Sequence, residues 1–544
     1  MAQQNQAGRR QAGFWQWLVG RPRPPAIVWL PACLVGAALL LPPAYLLLRG
    51  LSSGPDAWEL VFRQRGLLIL ARTVLLIGAV TAAAIALAVP LAWLLLRTDL
   101  PFRRAWLVLA SLPLVIPSYV AGFVVVVALG PRGMLQKALQ SLAGVERLPD
   151  IYGFTGAMLT LTLLTYPYVL LTVRAALERL DPALDETSRA AGYGPWKTFV
   201  RVILPTLRPA IVAGGLLVAL YTLSDFGAVS LLRYETFTWA IYVQYEASLD
   251  RSLGAGLSLV LVALALSLVV GEAMTRGRSR YYRSTAGAVR TPARLRLGWW
   301  KVPALAYCTT VALVSVAGPV GVLGYWALQG LGASGVSVQL WPAAASSVLV
   351  SLAAALLALV CALPVAVLAV RFPGRLSSLL ERITYVAFAL PGIVVALALV
   401  FFSANYIPIL YQSFALLVLG YMVLFLSAAV GAVRSSLLQI SPSVEQASRS
   451  LGSTPARVFA TITLPLTRPG LVSGAALVFL LTMKELPATL LLSPIGFKTL
   501  ATLTWSAASE AFYARASISA LVLIGLAAIP MSLLVARDRQ PGNP

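Results

Sequence analysis

The chain has 544 residues, of which 59% are hydrophobic and only 11% are charged, and its mean hydropathy of +0.84 is far above that of a soluble domain. This composition excludes a water-soluble globular protein. Because the chain contains no histidine, imidazole bases and histidine-ligated zinc sites are excluded as well. The three cysteines all fall in apolar segments, so they indicate neither a disulfide framework nor a thiolate metal cage.

Apolar segments recur along the whole chain. A helix needs roughly 20 apolar residues to cross about 30 Å of hydrocarbon. The pattern predicts twelve spans, at 27–48, 69–96, 106–129, 152–177, 209–232, 253–274, 302–327, 344–370, 384–403, 409–433, 469–492 and 514–536. The first segment is full length and is not followed by a signal cleavage site, so we expect it to remain as a spanning helix.

The formal net charge of +23 is concentrated between the predicted spans. With the N-terminus inside, 30 of the 42 Lys and Arg residues fall in segments on the cytoplasmic side, which agrees with the positive-inside rule. We therefore expect an all-α polytopic membrane protein with both termini cytoplasmic. The longest basic run, at 276–296, would fix the orientation and meet anionic lipid head groups, so the charge does not require a nucleic acid partner.

The sequence also repeats itself. Eleven residues between the fourth and fifth spans, or close to them, recur at a spacing of 260 around the tenth and eleventh spans. In the first copy they are Pro182, Ser188, Arg189, Gly192, Pro195, Phe199, Leu204, Pro205, Arg208, Pro209 and Gly214, and in the second Pro442, Ser448, Arg449, Gly452, Pro455, Phe459, Leu464, Pro465, Arg468, Pro469 and Gly474. A repeat of this length predicts a duplicated fold.

Upstream of these loops the spacing is 274, and it relates Pro90, Arg97 and Pro117 to Pro364, Arg371 and Pro391. A longer outside loop in the first copy, at 130–150, explains the difference between the two spacings. We predict two homologous six-helix halves, 1–285 and 286–544. Because six is an even number of spans, the halves would form a parallel repeat about an axis along the membrane normal.

The repeated polar loops, about 181–209 and 441–469, predict two short helices joined at a glycine. In the first copy Asp181 would cap a helix that begins at Pro182, Gly192 would end it, and Pro195 would start the next helix. The second copy has Ser441, Pro442, Gly452 and Pro455 at the corresponding positions. Ordinary re-entry turns would explain one such loop, but not two that keep these residues in register.

These loops resemble the signature of the permease subunits of type I binding-protein-dependent ABC importers, which is a Glu-Ala-Ala run, a glycine and a downstream Ile-x-Leu-Pro. The first copy carries it as ETSRAAG and VILP, and the second as QASRSLG and ITLP. Thr187, Ser188 and Ser448 depart from the alanines, and Gln446 departs from the glutamate. The segments 223–242 and 483–501 extend the resemblance to the fused two-half permeases for ferric iron.

The resemblance implies that the first helix of each loop is a coupling helix that docks onto an ATPase. The candidate coupling residues are Asp185, Glu186, Arg189, Gly192, Glu445, Gln446, Arg449 and Gly452. The chain itself carries no phosphate loop, since GYGPWKT at 192–198 has Trp196 where that pattern requires glycine. ATP and Mg would therefore belong to two copies of a separate cytoplasmic ATPase, and this chain would bind no cofactor and catalyse no reaction.

The resemblance further implies that the chain imports ferric iron across a bacterial inner membrane after delivery by a periplasmic binding protein. Thiamine or another small solute is the alternative cargo for the same class of importer. An ion-coupled secondary transporter is a weaker alternative, because its cytoplasmic loops would have no reason to match.

Two acidic residues, Asp225 and Glu485, again lie 260 apart and fall within predicted spans. A carboxylate inside a span costs on the order of 3 kcal/mol, so it usually faces a bundle interior or an aqueous cavity. One interpretation is that the pair lines the outer part of a cation path, where it offers hard oxygen ligands. The other is that the two side chains cap broken helix ends before Gly227 and Pro487, or that Lys484 neutralises Glu485.

A third repeated feature is predicted to face outward. EASLDR (Glu246 to Arg251) and EAFYAR (Glu510 to Arg515) share Glu-Ala and an arginine five residues after the glutamate. The two pairs are candidates for docking opposite lobes of the binding protein. Local helix capping before the sixth and twelfth spans is the other interpretation, and the simpler one.

Overall fold

The computed structural model describes residues 24–52, 58–59, 62–131, 133–145, 147–180, 182–247, 252–275, 295–333 and 337–537. Within these ranges the regular elements are helices, and the one pairing of extended backbone is a single bridge between Thr98 and Leu295. Helices are expected here, because a spanning segment has no water to satisfy its backbone and must hydrogen-bond internally.

The helices of the first half are α1 (Ala26–Ser52), α2 (Gln64–Arg97), α3 (Arg103–Ser111), α4 (Ser118–Leu129), α5 (Met134–Ala143), α6 (Phe154–Arg179), α7 (Pro182–Ala190), α8 (Pro195–Ser224), α9 (Gly227–Leu231), α10 (Phe237–Ala247) and α11 (Ser252–Thr275). Those of the second half are α12 (Gly298–Gly332), α13 (Leu340–Arg371), α14 (Arg375–Phe388), α15 (Gly392–Tyr406), α16 (Phe414–Gln439), α17 (Pro442–Ser450), α18 (Pro455–Met483), α19 (Pro487–Leu492), α20 (Leu500–Ser509) and α21 (Tyr513–Arg537). The order of elements is therefore the same in both halves, apart from α5.

Among the described residues, eleven helical segments are long and apolar enough to cross a membrane, or twelve if the bent pair α14 and α15 counts as one span. This range includes the predicted number. The predicted third and ninth spans, 106–129 and 384–403, are nevertheless wrong as single helices, because the chain leaves helical geometry at Pro117 and Pro391. Proline lacks the amide hydrogen that a continuous helix would need, and α14 meets α15 at an angle of 105°.

The predicted bounds of the fifth and eleventh spans, 209–232 and 469–492, are also wrong. The second helix of each polar loop is not short, because α8 and α18 begin at Pro195 and Pro455 and continue through the span. In each copy a wider helical turn, Phe199–Ile203 or Phe459–Thr463, joins the first turn of this helix to its spanning part. At the other end these helices stop at Ser224 and Met483, and the short helices α9 and α19 follow.

The first helix of each half packs against the opposite half. In α1, Val35 and Leu39 belong to the same buried cluster as Ala354 and Leu380 of the second half, and Asn405 donates to the Tyr45 hydroxyl at 3.2 Å. In α12, the Tyr307 hydroxyl donates to the Leu87 carbonyl at 2.7 Å. The halves are thus interlocked. Their predicted boundary at 285/286 lies outside the described residues.

The segment that leads into α12 is fixed to the end of α2. The Leu295 amide donates to the Arg97 carbonyl at 2.9 Å, and the Lys301 ammonium lies 2.8 Å from the Asp99 carboxylate. Lys301 and the Leu297 amide stabilise the charged carboxylate, so the pKa of Asp99 lies below its usual value. α12 begins beside Arg97 and crosses the bundle, and α13 crosses back and ends at Arg371. Arg97 and Arg371, and with them both polar loops, therefore lie at the same end of the molecule, here called the elbow end.

The predicted long loop at 130–150 contains a helix of its own, α5. The second half has a single tight turn, Pro408–Leu410, at the corresponding point. This insertion accounts for the change of repeat spacing that the sequence contains.

Two repeated glycines allow a comparison of helix packing in the halves. A Cβ atom on Gly214 would lie 2.8 Å from the Val169 Cα atom, whereas the nearest atoms to a Cβ atom on Gly474, outside its own helix, would lie at 3.4 Å. We therefore expect Gly214→Ala to lower the free energy of unfolding by about 1–3 kcal/mol, because α8 must move away from α6. Thermal unfolding in detergent measures the effect. Gly474→Ala is the matched control, and equal destabilisation by both variants would contradict the prediction.

Candidate functional site

A cavity of about 200 Å³ lies between the two halves, where the broken helices meet. The first half contributes the start of α4, the end of α8 and the start of α9, and the second half contributes the corresponding segments of α15, α18 and α19. Residues on its wall include Ser118, Tyr119, Tyr221, Ser224, Asp225, Gly392, Leu424, Phe425, Lys484 and Glu485. Because corresponding segments of both halves form its wall, the cavity lies on the pseudo-two-fold axis that relates the halves.

Asp225 occupies the break between α8 and α9. Its carboxylate accepts hydrogen bonds from the Ala228 amide at 3.0 Å and the Val229 amide at 3.3 Å, and the Ser118 hydroxyl also hydrogen-bonds it. The side chain caps the free amides at the start of α9 while it forms part of the cavity wall. The residue is buried, with 6% of its surface exposed.

Glu485 occupies the matching break between α18 and α19. Its carboxylate accepts a hydrogen bond from the Ala488 amide at 3.2 Å. Gly392, at the start of α15, lies so close that an added Cβ atom would be 2.6 Å from the Glu485 carboxylate oxygen. The absence of a side chain at position 392 is what lets this carboxylate approach the first turn of α15.

Each carboxylate caps a broken helix, as one interpretation predicted, and also lines the cavity. The cation path of the other interpretation stays a prediction. Sequence reasoning treated the two as alternatives. No sequence pattern indicates that the broken helix ends themselves form the wall of a cavity.

The position of Asp225 between the two ends of the bundle can be derived from the residues that follow it in the chain. The Gly153 amide, at the start of α6, donates to the Leu232 carbonyl at 2.7 Å. Leu232 therefore lies at the end of the bundle opposite the elbow end, and Asp225 lies seven residues before it. The cavity is nearer to that opposite end than to the elbows.

The cavity wall is rich in oxygen atoms. The Tyr119 side chain is buried, and its hydroxyl has no hydrogen-bond partner among the described residues. Across those same residues no group of three or more His, Cys, Asp and Glu side chains could hold a metal ion. The cavity thus offers two carboxylates and a phenol, which are hard donors, without a cluster of three acids.

The polar loops have the predicted helix–glycine–helix geometry, here called elbows. The first helix of each, α7 or α17, ends just before Gly192 (φ +79°) or Gly452 (φ +85°). This left-handed backbone favours glycine, since a Cβ atom would be strained there. The following helix begins at Pro195 or Pro455. In the second elbow Thr454 caps this helix, since its hydroxyl accepts a hydrogen bond from the Arg457 amide at 3.4 Å.

The predicted coupling residues do not all face solvent. Glu186, Gln446 and Arg449 are exposed. Asp185 and Arg189 lie on α7. Glu445, by contrast, is buried with 8% of its surface exposed.

Glu445 connects α17 to the end of α13. Its carboxylate lies 2.8 Å from the Arg371 guanidinium and accepts a hydrogen bond from the Thr463 hydroxyl at 3.0 Å. Arg371 also donates to the Ile440 carbonyl at 3.2 Å. In the first half the equivalent Arg97 donates to the Leu177 carbonyl at 3.3 Å. The sequence analysis did not predict this role of Arg371. The repeat did relate Arg371 to Arg97, and an arginine at the same position in both halves was the available indication.

The two elbows are held together by different bonds. In the first, the Ser188 and Thr198 hydroxyls lie 2.8 Å apart and join the two helices. In the second, Val458 occupies the position of Thr198. Both elbows expose apolar side chains at the surface, Leu184 and Trp196 in the first and Val444 and Leu451 in the second. Clustered exposed apolar groups of this kind mark protein contacts.

The outward-facing candidates have different surroundings. Glu246 accepts a hydrogen bond from the Tyr242 hydroxyl at 2.7 Å, and Arg251 lies outside the described residues. Glu510 and Arg515 are exposed and line a second cavity of about 160 Å³. The Arg515 guanidinium lies 5.2 Å from the centre of the Phe512 ring.

A duplicated helical bundle, a cavity between its halves and two exposed elbows at one end define a membrane permease made of two transport modules. The family of binding-protein-dependent transport system inner membrane components matches the chain twice, at residues 84–276 and 354–537. The chain belongs to this family. It is accordingly a multi-span helical protein of the inner membrane.

Relatives of known description fall into two groups. The Fe(3+)-transport system permease protein FbpB 2 of Haemophilus influenzae is 38% identical over 94% of this chain and 98% of its own length. The ferric transport system permease protein FbpB of Actinobacillus pleuropneumoniae is 26% identical over 74% of this chain and 61% of its own length. The molybdenum transport system permease protein ModB of Escherichia coli is 32% identical over 34% of this chain and 82% of its own length. The resemblance to ferric iron permeases is thus confirmed, and one of them matches over almost the full chain.

The Glu445 contact generates a stability prediction. Glu445→Ala should destabilise the protein by about 3–5 kcal/mol, because it leaves the Arg371 guanidinium without its buried partner. Hydrogen exchange of the α17 amides should rise, and thermal unfolding should report the global change. The neighbouring variant Gln446→Ala is the control, since that side chain is exposed. A larger effect of Gln446→Ala than of Glu445→Ala would contradict the assignment.

Proposed function

We propose that this chain is the translocation subunit of an ATP-driven importer that moves ferric iron, delivered by a periplasmic binding protein, into the cytoplasm. Two copies of a cytoplasmic ATPase, which bind ATP and Mg, would drive alternating access. The observation that carries the proposal is a single helix in each half, α8 or α18, which runs from an elbow to a carboxylate of the shared cavity.

The length of that helix makes it a mechanical link. The 30 residues of α8 span about 45 Å, and Asp225 follows the last of them. A displacement of the elbow is therefore carried through the bilayer as a rigid tilt of α8, which changes the cavity wall. The exposed apolar side chains of the elbows support an ATPase as the protein that contacts them.

The proposed orientation has the elbow end and both termini in the cytoplasm. The distribution of Lys and Arg supports it, since the basic segments fall beside the elbows and in the region between the halves. Glu246, Arg251, Glu510 and Arg515 would then lie on the periplasmic side, where the binding protein docks.

The chemistry of the cavity supports a hard cation as cargo. Carboxylate and phenol oxygens suit highly charged, hard metal ions. The molybdenum permease relatives match only part of this chain, and two carboxylates facing one ammonium would repel an anion. The nearly full-length similarity to a ferric iron permease points to the same cargo class.

The elbow glycines test the coupling. Gly192→Pro and Gly452→Pro should each lower ATP-dependent iron uptake by about an order of magnitude, because proline cannot adopt a positive φ and the elbow must rearrange. Uptake and ATP hydrolysis are measured in proteoliposomes with the cognate ATPase and loaded binding protein. Gly→Asn at the same positions is the control, since asparagine tolerates this backbone. Uptake driven by an ion gradient without ATP would overturn the proposal.

The cavity carboxylates test the cargo. Asp225→Asn and Glu485→Gln keep the oxygen that caps the next helix and remove the charge. We expect each to lower iron uptake by about tenfold while the fold is retained, since one lost charge interaction is worth roughly a factor of ten. Thermal unfolding confirms that each variant is folded. Iron uptake at the normal rate in both variants would contradict a cation path through this cavity, and ATP-driven uptake of thiamine would replace the metal as cargo.

A further inference from the structure

The charged residues of the cavity wall depart from the two-fold relation at one position. Asp225 and Glu485 correspond at the spacing of 260, and so do the residues before them, which are Ser224 and Lys484. A lysine therefore lines the cavity from the second half, at a place where the first half has a serine. A permanent positive charge at this point would oppose the passage of a cation, so its presence needs a physical account.

Lys484 reaches across to the other half. Its ammonium donates a hydrogen bond to the Leu114 carbonyl at 3.1 Å, across 370 residues of sequence. Leu114 belongs to the tight turn Leu112–Val115, which joins α3 to Pro117 and the start of α4. Ser224, the counterpart of Lys484, donates within its own helix to the Leu220 and Tyr221 carbonyls at 2.9 and 3.1 Å.

The same ammonium interacts electrostatically with one of the cavity acids, Glu485. Glu485 is its neighbour in sequence, and the Glu485 carboxylate in turn interacts with Asp225 of the other half. Two carboxylates enclosed in an apolar bundle repel each other and require a compensating charge. One ammonium beside them reduces this repulsion as long as no other cation is present.

We propose that the hydrogen bond from Lys484 to Leu114 is a latch that holds the halves together around the empty cavity, and that a cargo cation releases it. The release follows from charge. When a cation binds the two carboxylates, the ammonium is repelled from the cavity and its bond to Leu114 weakens. Because cargo binds the unlatched state more tightly than the latched state, it shifts the equilibrium toward separation of the halves.

This inference rests on the proposed function in one respect, which is that the cargo is a cation. The latch itself depends on a contact between named atoms of the two halves. It also assigns a role to the asymmetry of the chain, because the bond from Lys484 joins one half to a backbone carbonyl of the other.

The test uses proteoliposomes that contain this chain, its ATPase and its binding protein. Lys484→Met keeps a long side chain but removes the charge and the donors. We expect ATP hydrolysis without loaded binding protein to rise about tenfold, because a bond from a charged donor biases a two-state equilibrium by roughly that factor. Lys484→Arg keeps a charged donor and should stay close to the wild-type rate. Lys137→Met, which removes an exposed lysine on α5, is the matched control.

The possible outcomes are distinct. A raised basal rate in Lys484→Met, with normal thermal unfolding and a near-normal rate in Lys484→Arg, supports the latch. A basal rate equal to that of the wild type in a folded Lys484→Met variant overturns it. If Lys484→Met lowers the unfolding temperature and the basal rate together, the side chain is structural and the latch is also overturned.

The contact proposed as a latch and the proposed cargo can be contradicted independently of each other. If Asp225→Asn and Glu485→Gln transport iron normally while Lys484→Met still raises the basal rate, the contact between the halves restrains the resting state, but its release by a cation at the carboxylates is overturned together with the cation path. If the carboxylate variants lose uptake while Lys484→Met leaves the basal rate unchanged, the cation path holds and the latch does not.

Discussion

The arrangement of the cavity between the halves depends on one constraint, which is that a broken helix inside a membrane must satisfy its free backbone groups. The chain breaks at Pro117 and Pro391 and again after Ser224 and Met483. Asp225 and Glu485 satisfy amides at the second pair of breaks with their carboxylates. The same geometry therefore lets each carboxylate cap the next helix and form part of the cavity wall.

A second buried charge organises the opposite end of the molecule. Glu445 is paired with Arg371, so the orientation of α17 is fixed by the end of α13 rather than by loop conformation. Removing one partner of a buried ion pair costs far more than the intact pair contributes, which makes such a pair suited to holding one geometry. The second elbow is thus fixed to the end of α13, and α18 connects it to the cavity wall.

The sequence was sufficient to predict the helical class, the duplication and the two elbows, because these depend on composition, on spacing and on Gly and Pro at fixed positions. It was insufficient for the broken third and ninth spans, since an apolar run that contains Pro117 or Pro391 has the same hydropathy whether the helix continues or bends. It also failed to predict that α1 and α12 pack against the opposite halves. Contacts such as Tyr307 with Leu87 join residues 220 positions apart, and no local pattern encodes them.

The fused chain has a property that two identical subunits cannot have. In an assembly of two identical copies, a lysine at the position of Lys484 would occur on both sides of the cavity, so two ammonium groups would face two carboxylates and cancel their charge. Fusion allows Ser224 to stand opposite Lys484, so the cavity wall carries two acids and one lysine, and Ser224 bonds within its own helix where Lys484 reaches Leu114. It also allows the elbows to differ, with a Ser188–Thr198 bond in one and Val458 in the other. Asymmetry at the cavity and at the elbows is therefore open to two halves joined in one chain and closed to two identical copies.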